Sequence, residues 1–495
     1  MNTAVVILAA VWFGVLGLGL AARRGRVMNL EQWTVGRRGF GGFLIFFLLA
    51  GEIYTTFTFL GASGWAYGYG GPSYYIIAYG ALAYGLGYWL LPPIWRFART
   101  RKLYSQTDFF VAKYDSQALG FGVALVGILA MFPYLALQLE GLRLIVEVTT
   151  AGRVGSFVAV LLGTLALTVY VMASGIRAAA WTAAIKDLVL LATVVFLGLF
   201  LPVHASGGIG PLFRTIARHH PGFLKLPAVG LNPVWFGSTV LLSVLGFYLW
   251  PHTFGSIYAA RDEDLFRKNA IFLPLYQLVL LFALLAGFAA LVILPGLPNH
   301  DLALLAAAAH TLPGWMLGLI GGAGLLSAVV PGSMLLLAIA TQFARNVAGP
   351  CLPRWNEERL NLLARALVPF IAGAAILFER WSGQGIVLLL LLGYGYVTQL
   401  APALWASLLP HNPVPRCAVW AGGSVGVIAL TLFSFGGAPI RWEQRILPQP
   451  LADVNVGLLA FALNVVVLLL VTGAVRIRGS TGSPPRPLAS RPTQG

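Results

Sequence analysis

Two cysteines in 495 residues leave no disulfide framework, and the seven histidines are too scattered to give a His/Cys cluster with metal-ligand spacing. Acids are scarce as well, with 16 Asp and Glu against 32 Lys and Arg, and charged residues make up only 10% of the chain. No Ser/His/Asp arrangement, phosphate-binding loop or nucleic-acid motif stands out. The chain is therefore not read as an enzyme, no cofactor is expected, and its net charge of +16 is not read as nucleic-acid binding. No stretch is large and polar enough to be an appended soluble domain, which argues against a membrane-bound sensor kinase.

What is present is apolar. Hydrophobic residues make up 58% of the chain and the mean hydropathy is +0.83, which places it among membrane proteins. Apolar runs near the ~20 residues needed to span a bilayer occur at about 2–21, 42–69, 73–95, 118–148, 154–174, 180–203, 233–257, 270–295, 312–344, 362–379, 385–410, 416–436 and 453–475. That predicts an all-α polytopic protein with 13 crossings and its termini on opposite sides. The basic residues set the orientation. With the N-terminus outside, 23 Lys and Arg fall in cytoplasmic segments against seven outside (Arg153, Arg214, Arg218, Lys225, Arg380, Arg441, Arg445), while Arg143 and Lys186 fall within spans. The expectation is a bacterial-type inner membrane with a cytoplasmic C-terminus. Residues 1–21 lack a basic n-region and read as an uncleaved helix.

The second and seventh crossings stand five helices apart, so they run in opposite directions. Both are interrupted, the second at Gly51 and 61–64 and the seventh at 246–252 (GFYLWPH). Paired broken spans in corresponding places point to an inverted-repeat transporter with a midplane site. The second crossing also carries Glu52 at about mid-depth, where a charge costs roughly 2.5–3.5 kcal/mol on insertion scales. Backbone N–H groups freed at such breaks, as at 54–58, can receive a carboxylate.

Five stretches in order, 52–71 (EIYTTFTFLGASGWAYGYGG), 132–148 (FPYLALQLEGLRLIVEV), 174–188 (SGIRAAAWTAAIKDL), 250–277 (WPHTFGSIYAARDEDLFRKNAIFLPLYQ) and 330–347 (VPGSMLLLAIATQFARNV), together resemble the sodium:solute symporter family, and most of all its monocarboxylate permease branch. The resemblance spans about residues 5–475 and implies a leucine-transporter-type fold of two inverted five-helix repeats. The expected units are an extra helix and basic loop (1–38), the first repeat (39–203), an external loop (204–232), the second repeat (233–410), two further helices (411–475) and a disordered tail (476–495). It also implies secondary transport of lactate-, pyruvate- or acetate-like acids, with a small anionic solute, a coupling ion and the lipid bilayer as partners.

In sodium-coupled members the ion is held by carbonyls that map near Gly51 and Tyr54, by a hydroxyl pair that maps on Val330 and Pro331, and with help from an acid that maps on Ala183. Val330, Pro331 and Ala183 have no such oxygen, although a hard cation wants several. Lys186 lies one turn from Ala183 on the same face, so its ammonium can fill the space of a sodium ion and pair with Glu52. The expectation is proton coupling through Lys186 and Glu52. The plainer reading pairs Lys186 with Asp187 or lets it snorkel to the interface.

Thr55, Thr58, Gln138, Ser243, Tyr248, Trp250 and Ser333 are the candidate substrate-binding residues, and Tyr396 and Gln399, beside Tyr394, are the candidate gate. Plainer roles stand beside each: helix-to-helix bonding for Gln138, packing for Trp250 and the tyrosines, and a bond back to its own helix for Ser333. Arg143 can clamp a carboxylate, but Glu140 and Glu147 at i−3 and i+4 favour same-helix ion pairs. His252 is either a proton relay or an interfacial histidine, and His219 and His220 read as a solvated basic patch. The alternatives to the proton-coupled importer are a sodium-coupled symporter of another solute such as an amino acid, using the Gly51 and Tyr54 carbonyls with Ser327 or Ser333, and a non-transporting sensor or a channel.

Overall fold

A computed structural model describes residues 3–23, 38–173, 176–435, 448 and 451–480. The basic loop 24–37, the segment 436–447 with Arg441 and Arg445, and the tail from 481 lie outside the described residues, as does the side chain of Arg177. Among the described residues twenty α-helices follow one another. They are α1 (Thr3–Arg23), α2 (Gly42–Ala50), α3 (Ala62–Tyr69), α4 (Tyr75–Arg101), α5 (Gln106–Tyr114), α6 (Gln117–Thr149) and α7 (Ser156–Ala173). Next come α8 (Ile176–Ser206), α9 (Ile209–His219), α10 (Pro233–Gly246), α11 (Pro251–Ala259), α12 (Asp264–Tyr276), α13 (Leu280–Ile293) and α14 (Ala303–Thr311). The last are α15 (Gly314–Gln342), α16 (Glu357–Ser382), α17 (Ile386–Val397), α18 (Ala401–Leu408), α19 (Arg416–Phe435) and α20 (Val456–Ser480).

Among the described residues eight helical stretches are long and apolar enough to cross a membrane, and nine if the bent pair α10 and α11 is one span. Of the other expected crossings, the first and fifth show shorter apolar helices, Thr3–Gly14 and Phe157–Val169, among the described residues. The second is broken between α2 and α3, and the apolar part of α4 is interleaved with Tyr75, Tyr79, Tyr84 and Tyr88 and with glycines. Between Gly51 and Thr55 the chain turns without helical register, then passes through a π-helical turn, Phe57–Gly61, before resuming as α3. The seventh bends by 52° at the break before Pro251, where proline takes the first helical position and has no N–H to lose.

α6 runs through the middle and packs against α7, α15, α16 and α17. In the spans built on α15 and on α17 with α18, 83% of the apolar window is buried, against 28% for α19 and 22% for α20. The first two are therefore interior, and α19 and α20 pack on each other at the periphery with leucines such as Leu469 and Leu470 turned outward. Gly141 lets α6 approach the break of the second crossing, since a Cβ there would fall 1.8 Å from Thr56 Cγ2.

At the basic end the chain ahead of α2 is stitched to the end of α11. Phe40 N–H donates to the Ala259 carbonyl at 2.9 Å and Arg261 N–H to the Phe40 carbonyl at 3.0 Å. Trp95 Nε1 donates to Ala260 O at 3.0 Å and Arg99 to Arg261 O at 2.9 Å. This seal closes the end opposite the vestibule described next.

Candidate functional site

The non-seal end opens into a vestibule of about 720 Å³. Its walls hold Arg143, which is gripped by Glu140 at 2.7 Å through Nε and by Glu147 at 2.9 Å, so the same-helix ion pairs account for its guanidinium. Asp301 stands in the vestibule wall with its carboxylate accepting the N–H of Ile386, the first residue of α17, at 2.9 Å. Burial pushes the Asp301 carboxyl up to about 7.

From the vestibule an aromatic column descends through successive ring contacts: Trp65 to Tyr75 at 5.6 Å, Tyr75 to Tyr79 at 5.8 Å, Tyr79 to Tyr394 at 5.8 Å, Tyr394 to Trp250 at 5.3 Å and Trp250 to Tyr134 at 4.9 Å. The column touches both breaks and is buried along its length. Along it and beside it lie buried polar atoms without a hydrogen-bond partner: the hydroxyls of Tyr75 and Ser243, and Gln138 Nε2. Gln138 Oε1 accepts the Thr56 hydroxyl at 2.6 Å, which orients the amide with its N–H₂ free.

Below Tyr134 is a cavity of about 20 Å³, room for one water. Gly51, Glu52, Ala183, Lys186, His252, Val330 and Pro331 line it together with Tyr134. The Lys186 ammonium donates to the carbonyl of Tyr54 and stands 2.8 Å from Asp187, with both side chains buried. Val330 and Pro331 supply no oxygen, and the Ser327 and Ser333 hydroxyls donate to Gly324 O and Val330 O of their own helix at 2.7 and 2.6 Å. These residues do not fit a sodium ion at this position, because an ammonium already takes the carbonyl and the hydroxyls face inward along their helix.

Four expectations need correction. Glu52 does not pair with Lys186: its carboxylate meets His252 Nε2 at 2.7 Å, because the turn at the break aims the Tyr54 carbonyl at α8 and the Glu52 side chain at α11. His252 is accordingly buried in the site and is not an interfacial histidine. The break N–H groups offer little to an anion, since those of Ile53, Tyr54, Thr55, Phe57 and Thr58 already have local acceptors. The Thr55 hydroxyl accepts from Phe57 N–H, and that of Thr58 donates to Ile53 O. Tyr396 and Gln399 face away from the column, with Tyr396 bonded to Thr431 of α19 at 2.9 Å and Gln399 to Asn464 of α20 at 2.8 and 3.1 Å. Tyr394, two residues earlier, is the member of that group which meets Trp250.

Tyr248 is buried against Phe247, and a Cβ on Gly87 would reach its hydroxyl, so it packs the α4 side of the break in the seventh crossing. The exposed His219 and His220 end α9 away from the site. Tyr75, Tyr79 and Tyr134 were not singled out by sequence, although their hydroxyls lie on spans where polar groups are few. Tyr134 sits one turn before Gln138 on α6 and donates to the Glu52 carbonyl at 2.8 Å, and this shared face was readable from the i, i+4 spacing.

Comparison with known proteins places this geometry. The chain is 51% identical over 474 residues to the uncharacterized symporter YhjB of Bacillus subtilis (strain 168), covering 95% of this chain and 97% of that one. It is 26% identical over 472 residues to the monocarboxylate transport permease protein of Rhizobium johnstonii (strain DSM 114642 / LMG 32736 / 3841), covering 92% and 93% of the two chains. Among solved structures a Na+-coupled sialic acid symporter in a substrate-bound outward-open state superposes with a TM-score of 0.76 at 16% identity, over 96% of this chain and 98% of that one, so the two share a fold. The sodium:solute symporter family model matches residues 33–404, and the chain belongs to that family of multi-pass membrane transporters.

Proposed function

We propose that this symporter imports small monocarboxylates of the lactate, pyruvate or acetate class together with protons, by alternating access around the aromatic column. The observation that carries the coupling is the buried Lys186 ammonium on the Tyr54 carbonyl, a fixed positive charge where the family's name leads one to expect a metal cation. The solute class is supported by the monocarboxylate permease relative and by the neutral donors left without partners, Gln138 Nε2 and the hydroxyls of Tyr75 and Ser243. Such donors can receive a single carboxylate without a competing guanidinium, since Arg143 is held by two glutamates.

The reading includes 13 crossings with the N-terminus outside, and inverted repeats over 39–203 and 233–410 whose broken members are α2 with α3 and α10 with α11. Rocking of the repeats would part Tyr79, Tyr394 and Trp250 on one side and the seal at Phe40 and Ala260 on the other. Uptake of labelled lactate, pyruvate and acetate into proteoliposomes under imposed proton or sodium gradients tests it. Saturable uptake driven by the proton gradient alone is expected, and driving by sodium alone overturns the coupling assignment.

A further inference from the structure

Four ionisable side chains face or adjoin the 20 Å³ cavity: Glu52 from the first break, His252 from α11, and Lys186 with Asp187 from α8. Val330, Pro331 and Met334 close it from α15 with no ionisable group, and Leu48 closes it from α2. The remaining groups around Glu52 are tyrosines, Tyr134 from α6, Tyr84 from α4 and Tyr248 from the second break, all buried. With the imidazole neutral this cluster carries one net negative charge, and with an imidazolium it carries none. Removal of the Lys186 proton would instead take it to two negative charges and strand Asp187 in a buried place, which is the costlier change.

We propose that the coupled proton is carried by the His252–Glu52 pair, and that Lys186 serves as a permanent cation standing in for a bound metal ion. The proposal rests on the proton-coupled reading above and moves the titrating group from α8 to α11. His252 Nδ1 is buried and has no hydrogen-bond partner. When Nε2–H donates to the Glu52 carboxylate, Nδ1 keeps an unused lone pair. One proton taken from water on the vestibule side adds there to give an imidazolium–carboxylate pair, and the same proton leaves to water on the other side when the seal opens. The two groups lie 200 residues apart, on the two broken spans. Occupancy by the proton therefore changes the electrostatic bond between those spans, which is what a coupling ion must do.

The test uses the full-length protein in liposomes. Driven uptake is compared with undriven uptake for lactate, pyruvate and acetate, and difference infrared spectra of the lipid-embedded protein are recorded from about pH 5 to about pH 9, across the range where imidazoles and buried carboxyls exchange protons. His252→Gln keeps a donor toward Glu52 but cannot take up a proton. Its driven-to-undriven ratio is expected to fall to about one, and the pH-dependent carboxylate band removed by Glu52→Gln is expected to stop responding to pH. Lys186→Arg, which cannot lose its charge at these pH values, is expected to slow uptake while keeping a ratio above one and keeping the band. A pH-responsive band in His252→Gln, or its loss in Lys186→Arg but not in His252→Gln, overturns the proposal. If none of the three acids is taken up, the solute assignment fails and the infrared comparison still decides where the proton resides.

Discussion

Gln138 and Thr56 meet across the first break, with the threonine hydroxyl 2.6 Å from Gln138 Oε1 and the amide N–H₂ left without an acceptor. That arrangement makes the amide a one-directional donor, fixed by its neighbour and available to a solute oxygen. Gln138→Leu is expected to raise the KM for uptake by about tenfold, the effect of one lost hydrogen bond of ~1 kcal/mol or slightly more. Gln138→Glu, which places a second anion beside the carboxylate, is expected to be worse. Initial-rate uptake against solute concentration checks both.

Lys186 and Asp187 form a buried pair, and removal of one partner leaves the other charged and uncompensated. Lys186→Ala is expected to destabilise by ~3–5 kcal/mol, and the double variant Lys186→Ala/Asp187→Ala to recover part of that loss. Thermal unfolding of purified protein in matched detergent measures the difference, and a double variant no more stable than the single one contradicts it.

Gly141 faces Thr56 so closely that an added Cβ would lie 1.8 Å from Thr56 Cγ2. Gly141→Ala is expected to push α6 off the break, lowering both Tm and uptake. Thr56→Ser deletes the offending methyl and keeps the hydroxyl bonded to Gln138, so the pair Gly141→Ala/Thr56→Ser is expected to regain much of both. Double-mutant analysis reads this coupling directly.

Asp301 has its carboxyl pushed up to about 7 by burial, well above the ordinary aspartate range. The folded protein therefore holds a proton there that the unfolded chain has released. The resulting stabilisation is full below about 4 and is lost as pH rises through about 7. Asp301→Asn, which can still accept the Ile386 N–H, is expected to flatten that part of the Tm-versus-pH curve. An unchanged slope contradicts the assignment.

The broken spans were legible because interruptions fall in corresponding places of two crossings five helices apart, whereas single prolines such as Pro133 and Pro331 lie within continuous helices. The Arg143 ion pairs were legible because i−3 and i+4 neighbours share a face. The approach of Lys186 to the second crossing was legible from the family resemblance, which implies that Ala183 lies beside that crossing, together with the one-turn spacing from Ala183 to Lys186. The partner of Glu52 was not, because His252 is 200 residues away and only the direction of the turn at 51–55 decides between it and Lys186. The gate residues show the limit of reading a span without its rotation. Two residues along an α-helix turn a side chain by about 200°, so Tyr394 meets Trp250 while Tyr396 meets α19.

Four carbonyls at or beside the two breaks have a side-chain donor from another part of the protein. Tyr84 of α4 serves Leu49, Tyr134 of α6 serves Glu52, Lys186 of α8 serves Tyr54, and Gln106 of α5 serves Leu249. Any rocking that shears the breaks past these helices must trade the donors for water or solute within the same stroke. The heat needed to loosen several such bonds together falls on the conformational step, so turnover should rise steeply with warming even where solute affinity hardly changes.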